Sequence, residues 1–200
     1  MFVSIARLLT RQLRSRAEEL VALKRRLRAE RATSERDEAL RIRALKARLA
    51  AAAGAVSSCG RCAAGRPWPG GAYDGGHCCS GRTEELFSAD EVAALAQAGT
   101  RPRDLVAPRG EHPGCAFRGP TGCTLGAEHR PALCLRFVCD DLRRELHRAG
   151  KLDEVEALAA ELEQALARFA AALAARRDRE WLEAVTRELV REGRPSAAAR

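Results

Sequence analysis

Two stretches, CGRCAAGRPWPGGAYDGGHCC at 59–79 and CAFRGPTGCTLGAEHRPALCLRFVC at 115–139, contain every cysteine of the 200-residue chain. The flanking segments, 1–58 and 140–200, contain none. The eight cysteines are Cys59, Cys62, Cys78, Cys79, Cys115, Cys123, Cys134 and Cys139. The apolar run at Met1–Leu9 is too short and too interrupted for a secretory signal. This predicts a cytoplasmic protein. Clustered cysteines in a reducing cytoplasm are more often metal ligands than disulfides.

The composition predicts long helices around a loop-rich middle. Apolar residues make up 46% of the chain and aromatic residues only 4%, so alanine and leucine dominate. The middle is rich in glycine, proline and cysteine, and such a segment buries little apolar surface and usually needs cross-links. We therefore expect a mainly α fold, in which long N- and C-terminal helices pack as an antiparallel coiled-coil-like pair. The same helices could instead pack across a homodimer.

This interpretation divides the chain into four parts. A basic N-terminal helix is expected over 1–56, a cysteine-cluster metal-binding domain over 57–150, a C-terminal helix over 151–193 and a disordered tail over 194–200. In the first part, leucines recur every seven residues at Leu13, Leu20 and Leu27. The pattern lapses at 33–37 and resumes at Ile42, so one long helix is preferred and a break near 31–35 is the alternative.

Further boundaries follow from capping and glycine patterns. Residues 59–87 lack periodicity and are predicted to form an irregular loop. Ser88 and Glu91 have the spacing of a capping box, which predicts a short helix through Ala98. Asp140 and Asp141 are predicted to begin another helix. In the C-terminal part, one apolar stripe is predicted along a helix of about 40 residues. Its members are Val155, Leu158, Leu162, Leu166, Phe169, Leu173, Leu182, Val185 and Leu189.

The net charge of +8 resides in the N-terminal part. Residues 1–50 contain 14 Lys or Arg against 6 Asp or Glu, whereas the other 150 residues contain 21 of each kind. A solvated basic helix face is the favoured interpretation, and an anionic partner for residues 1–50, such as nucleic acid or an acidic protein, is the alternative. No run of about 18 apolar residues is present, so no membrane span is predicted.

The spacing of the cysteines indicates metal chemistry. In Cys59-Gly-Arg-Cys62 the two intervening residues allow both thiolates to face one ion. Eight thiolates could form two four-sulfur sites, or one four-sulfur cluster with spare thiols, so the metal could be zinc or an iron–sulfur cluster. His77 and His129 lie in the same region and could each replace a thiolate.

The order of these residues resembles the YkgJ-type cysteine-cluster family over about 85 residues. The matching segments are Cys59-x2-Cys62, Cys78-Cys79 followed by the Ser88–Glu91 cap, Cys115-Ala-Phe117, Gly122-Cys123-Thr-Leu, Arg130-Pro131-x2-Cys134 and Phe137-Val-Cys139. Members are described as zinc- or iron-chelating domains, and flagellin lysine methylases contain a related cluster. The resemblance implies that the eight cysteines bind metal. The 15 residues between Cys62 and Cys78 are a longer spacing than the family has.

Three functions are therefore expected, in decreasing order of support. The first is a metal-binding protein acting as an interaction or structural module. The second is an iron–sulfur enzyme that transfers electrons or supports methyl or radical chemistry. The third is a nucleic-acid binder that uses the basic N-terminal helix. The sequence contains no Gly-rich phosphate loop and no nucleophile–base signature, so it leaves open whether any reaction is catalysed.

Overall fold

The computed structural model describes residues 16–30, 34–64, 66–67, 73–74, 83–109 and 114–192, and this part of the chain is mainly helical, as predicted. The helices are α1 (Arg16–Ala29), α2 (Arg36–Ala53), α3 (Ser57–Ala64), α4 (Thr83–Leu86), α5 (Ala89–Gln97), α6 (Ala132–Arg136), α7 (Asp140–Arg148) and α8 (Leu152–Glu192), with a 3-10 turn at Ala127–His129. Strand β1 (Arg66–Pro67) pairs antiparallel with β2 (Tyr73–Asp74), and β3 (Arg118–Gly119) pairs antiparallel with β4 (Gly122–Cys123).

The N-terminal segment is interrupted, so the preferred prediction of one long helix is wrong. Helix α1 ends at Ala29 and α2 begins at Arg36, with a turn at Ser34 and Glu35 between them. The alternative of a break near 31–35 is confirmed. The lapse in the apolar pattern is the cause, because the two helices have no continuous apolar face to share and they pack in different places. Leu13 lies outside the described residues.

Helix α2 packs antiparallel against the first half of α8. The ion pairs across the contact run in opposite directions along the two helices: Glu35 pairs with Arg176, Glu38 with Arg168 and Arg41 with Glu161, at 3.3, 3.0 and 3.0 Å. Beneath them lies the first cluster of buried apolar side chains, which we call the helical core. It contains Ile42, Leu45, Leu49, Leu146, Val155, Leu158, Leu162, Phe169 and Leu173, with alanines from several helices.

Helix α1 packs against α4 and α5 rather than extending this pair. Its Leu23 and Leu27 enter a second buried cluster, which we call the cysteine-region core. The other members are Phe87, Val92, Leu95, Leu105, Cys115, Phe117 and Leu125. The rings of Phe87 and Phe117 meet edge to face with centroids 5.9 Å apart. The leucine heptads of the N-terminal segment are thus used inside the chain, against the region that contains the cysteines.

Helix α5 separates the two cores. Its Ala93 and Ala94 face the helical core, whereas Val92 and Leu95 face the cysteine-region core. The predicted cap is confirmed, because the Ser88 hydroxyl accepts a hydrogen bond from the Glu91 backbone N–H at 3.1 Å. A helix of nine residues can serve both cores because almost all of its circumference is buried.

Helix α8 confirms the predicted long C-terminal helix, with 41 residues and a length of about 60 Å. The prediction of one continuous apolar stripe is wrong, however. Val155, Leu158, Leu162, Phe169 and Leu173 are buried and Leu166 is partly buried, whereas Leu182, Val185 and Leu189 are exposed. Leu189 follows Leu173 by sixteen residues, which rotates it by about 160° around a helix of 3.6 residues per turn. None of the described helices is long and apolar enough to cross a membrane. The predicted tail, 194–200, lies outside the described residues.

Candidate metal centre

The Cys59–Cys62 pair lies on a helix, and not in the irregular loop predicted from 59 onward. Two backbone N–H groups at the beginning of α3 explain this helix: Ser57 donates to Glu145 Oε1 at 2.7 Å and Ser58 donates to Glu145 Oε2 at 2.9 Å. These bonds hold the pKa of Glu145 at about 2 because they stabilise the charged carboxylate, the Ser57 N–H most of all. Three residues apart on a helix, Cys59 and Cys62 lie on the same side.

Helix α3 is in contact with two other cysteine-bearing segments. It packs against β4, which ends at Cys123, and against α7, which follows its N-cap residue Cys139. A side chain on Gly60 would meet the Thr121 carbonyl oxygen at 3.7 Å, so the helix runs close beside the β3–β4 turn. The fold therefore brings together three elements from distant parts of the chain: α3 contains Cys59 and Cys62, β4 contains Cys123, and α7 directly follows Cys139.

Cys115 is buried in the cysteine-region core and is 6% exposed. The hydroxyl of Thr83 accepts a hydrogen bond from the Ala116 N–H at 2.9 Å and lies 3.9 Å from the Cys115 Sγ. Burial raises the pKa of the Cys115 thiol, and the nearby Cys123 adds to the effect, whereas the Phe117 N–H and Thr83 oppose it. The positive charge of Arg16 also opposes the rise.

Two charged side chains of α1 attach that helix to the same region. Arg16 Nη2 donates to the carbonyl oxygens of Cys115 and Arg118, at 2.9 and 3.0 Å. The buried carboxylate of Glu19 accepts the Thr83 N–H at 2.9 Å. Sequence reasoning missed these contacts because an arginine and a glutamate at the beginning of an arginine-rich helix are indistinguishable from solvated residues.

A buried ion pair holds the turn that precedes Cys134. Lys46 on α2 pairs with Glu91 on α5, and these residues are 1% and 7% exposed. Lys46 Nζ also donates to the Arg130 carbonyl oxygen at 2.8 Å, and Glu91 Oε1 accepts the Ala132 N–H at 3.2 Å. The pair thus fixes both sides of Pro131, the N-cap of the helix α6 that contains Cys134.

Arg130 itself braces the neighbouring hairpin. Its Nε donates to the Leu125 carbonyl oxygen at 2.8 Å, and its Nη2 donates to the Cys123 carbonyl oxygen at 3.4 Å. The Arg130 side chain therefore connects the segment before Cys134 to the strand that ends at Cys123. Cys134 and Cys139 are both half-buried.

Of the two histidines named from the sequence, the structure describes only His129. The Nδ1 atom of His129 lies 3.0 Å from the Thr100 hydroxyl, and its Nε2 lies 3.6 Å from Glu128 Oε1. Both ring nitrogens therefore face oxygen atoms. His77, Cys78 and Cys79 lie outside the described residues.

Over the described ranges, no group of three or more His, Cys, Asp or Glu side chains is arranged to hold a metal ion. No disulfide joins two of the six described cysteines. The described thiols are the donors that zinc and iron–sulfur clusters prefer, but they do not form a complete ligand set by themselves. Neither a protein-family model, nor a curated protein sequence, nor a solved structure matches this chain.

Proposed function

We propose that this chain is a cytoplasmic metal-binding protein that holds zinc or an iron–sulfur cluster and acts as a structural or interaction module. The proposed ligands come from the eight cysteines of the middle region. They are Cys59, Cys62, Cys78, Cys79, Cys115, Cys123, Cys134 and Cys139.

The position of α3 is the observation that carries this proposal. The helix that contains Cys59 and Cys62 contacts both the strand of Cys123 and the helix that follows Cys139. Three elements from distant parts of the sequence are in contact, and each of them contains a cysteine or directly follows one. Because several thiolates must approach one ion or cluster, such convergence is the first requirement of a thiolate site.

The local architecture supports the proposal in a second way. The cysteine-bearing elements are short, since β4 has two residues, α6 has five and α3 has eight. Isolated helices of this length are marginal in water, and two-residue strands contribute few hydrogen bonds. A bound metal would cross-link these elements and add folding free energy that their small contacts do not supply.

The test is the metal content and visible spectrum of protein purified without oxygen. We expect either stoichiometric zinc and a colourless protein, or iron with acid-labile sulfide and a broad absorption near 400 nm. Cys123→Ser and Cys139→Ser should each reduce the bound metal at least tenfold. Leu133→Ser, an exposed change beside Cys134, should retain it and serves as the matched control.

Metal-free wild-type protein that remains metal-free after anaerobic reconstitution would refute the proposal. Equal metal content in Leu133→Ser and both cysteine variants would refute the assignment of those two ligands. Iron–sulfur content would favour the alternative of an iron–sulfur enzyme, and stoichiometric zinc would favour the module.

A second candidate function, binding of an anionic partner, has one specific observation in its favour. The side chains of Lys24, Arg25, Arg26 and Arg28 on α1 make no ion pair with any residue that the structure describes. By contrast, Lys46 and Arg48 on α2 pair with acidic groups. Cations without an acidic partner among the described residues attract polyanions in a salt-dependent way.

Titration with a labelled single-stranded oligonucleotide tests this second function. Replacing Lys24, Arg25, Arg26 and Arg28 by glutamine should abolish binding that wild type shows at low salt. Replacing Arg101, Arg103 and Arg109, outside α1, should leave that binding unchanged. Equal affinity of the two variants would count against α1 as the binding surface.

A further inference from the structure

The last part of α8 has an apolar stripe that no other residue described in the structure covers. Every residue from 177 to 191 is exposed. Trp181, Leu182 and Leu189 are 64%, 56% and 63% exposed, and Val185 and Val190 are 37% and 55% exposed. Single exposed apolar residues are common on soluble proteins, whereas several on one short helix segment indicate a contact surface.

This stripe does not extend the buried face of α8. Phe169 and Leu173 are buried against the helical core, and Val185 and Leu189 follow them by sixteen residues each. Because sixteen residues correspond to a rotation of about 160°, Val185 and Leu189 point away from the side that α2 covers. The packing among the described residues therefore gives no reason for apolar residues at these positions.

We propose that the stripe, defined here as residues 181–190, is where two copies of this chain associate. In the proposed dimer the two α8 helices are antiparallel, about a two-fold axis near Val185 and Thr186. A two-fold contact requires one patch that is complementary to itself. The stripe meets this requirement, because Leu182 and Leu189 lie at equal distances in sequence from that point.

The charges along α8 favour the antiparallel orientation. Residues 176–179 contain three arginines and one aspartate, whereas residues 180–192 contain four glutamates and two arginines. About the proposed axis, Arg179 of each copy lies opposite Glu192 of the other, and Glu180 lies opposite Arg191. These opposite-charge pairs outnumber the one like-charge pair, Glu183 with Glu188. In a parallel pair the two basic turns would lie side by side, which is unfavourable.

The position of the folded part of the chain that contains the two cores favours the same antiparallel orientation. Arg176 pairs with Glu35 at 3.3 Å, and Arg177 approaches Asp90 at 3.9 Å, so the body of the chain lies on the N-terminal side of the stripe. Antiparallel helices place the two bodies at opposite ends, where they do not obstruct each other. The stripe is only about 15 Å long, which is at the small end of protein interfaces, so we expect a weak and reversible dimer.

Sedimentation velocity of the full chain, from low micromolar to submillimolar concentration, tests the dimer. Wild type should shift from monomer to dimer over this range, and Leu189→Glu should weaken the dimer at least tenfold. The matched control is Val106→Glu, since Val106 is 61% exposed and lies outside α8. This variant should dimerise like wild type, and circular dichroism should show equal helicity for all three proteins.

Wild type that stays monomeric at every concentration would overturn the proposal and leave the stripe to a different partner. Equal dimerisation of Leu189→Glu and Val106→Glu would place the contact elsewhere and would also overturn it. Photo-crosslinking tests the orientation. A benzophenone side chain in place of Glu180 should crosslink to residues near Arg191 of the second copy, and crosslinks to residues near 180 would show a parallel pair instead.

Discussion

The helical core and the cysteine-region core are built in different ways. Most of the helical core comes from two long helices, α2 and the first half of α8, whose apolar residues recur at helical spacing. The cysteine-region core draws its residues from α1, α5 and several short segments between 87 and 125. Long helices need only periodicity to bury a face, whereas short segments must be held individually.

Polar side chains hold the segments of the cysteine-region core. Arg16 binds two carbonyl oxygens, Glu19 accepts the Thr83 N–H, and Thr83 in turn accepts the Ala116 N–H. The exposed pairs that flank the helical core, such as Arg41 with Glu161, contribute little in comparison. This difference predicts that the two cores will respond differently to metal removal and to substitution.

Removal of the proposed metal should have the largest effect, and it should affect mainly one core. Structural zinc contributes on the order of 10 kcal/mol to small domains, so chelation should open α3 and the β3–β4 hairpin. Helix α2 and residues 152–176 of α8 should remain folded. Hydrogen exchange before and after chelation measures this, and equal loss of protection in both cores would contradict the comparison.

Breaking the Lys46–Glu91 pair should produce the next largest effect, because it acts where the two cores meet. Lys46→Met leaves the Glu91 carboxylate buried without its cation, which should lower the free energy of unfolding by about 3–5 kcal/mol. The double variant Lys46→Met, Glu91→Gln should recover part of this loss, since glutamine can still accept the Ala132 N–H.

Arg41→Met is the matched control for this prediction. It breaks the exposed Arg41–Glu161 pair on the same helix and should cost less than about 1 kcal/mol. Urea denaturation of the three variants provides the measurement. If Lys46→Met and Arg41→Met were equally stable, the buried Lys46–Glu91 pair would not stabilise the contact between the two cores.

The helical core was largely predictable from sequence. The apolar spacing from Val155 to Leu173, the Ser88 cap and the beginning of α7 at Asp140 all appear where the patterns indicated. The break at 31–35 was an open alternative, because a lapse in periodicity does not say whether the chain turns. The rotation of Leu182, Val185 and Leu189 to another face could have been found by counting residues around the helix.

The candidate site was much less predictable. Cysteine spacing indicated candidate ligands, but the helix at Ser57–Ala64 depends on Glu145, a residue that follows 88 positions later. Lys46 and Glu91 appeared to be ordinary charged helix residues, since burial is a tertiary property that their sequence neighbours do not encode. Local patterns report local structure, and the contacts around the cysteines are almost all long-range.

Leucine-to-alanine substitutions of similar depth should distinguish the two cores. Leu173 in the helical core and Leu125 in the cysteine-region core are 1% and 2% exposed. Leu173→Ala should lower the free energy of global unfolding by about 2–5 kcal/mol. Leu125→Ala should mainly increase hydrogen exchange in the cysteine region. As a control, Leu40→Ala at an exposed position of α2 should lower the free energy of unfolding by less than about 1 kcal/mol. Similar exchange patterns for Leu173→Ala and Leu125→Ala would show that the two clusters form one core.

The smallest predicted effect concerns Glu145, which attaches α3 to α7 and thereby to the helical core. Its pKa is about 2 in the folded chain against an ordinary value of 4.5. Because the folded pKa is the lower one, the stabilisation is complete above about pH 4.5 and is lost as the pH falls toward 2. A carboxyl NMR titration should therefore give a midpoint near 2 for Glu145. Glu145→Gln should speed exchange of the Ser57 and Ser58 amides at neutral pH while leaving α2 protected. A midpoint near 4.5 would mean that α3 is held beside Cys123 and Cys139 by other contacts.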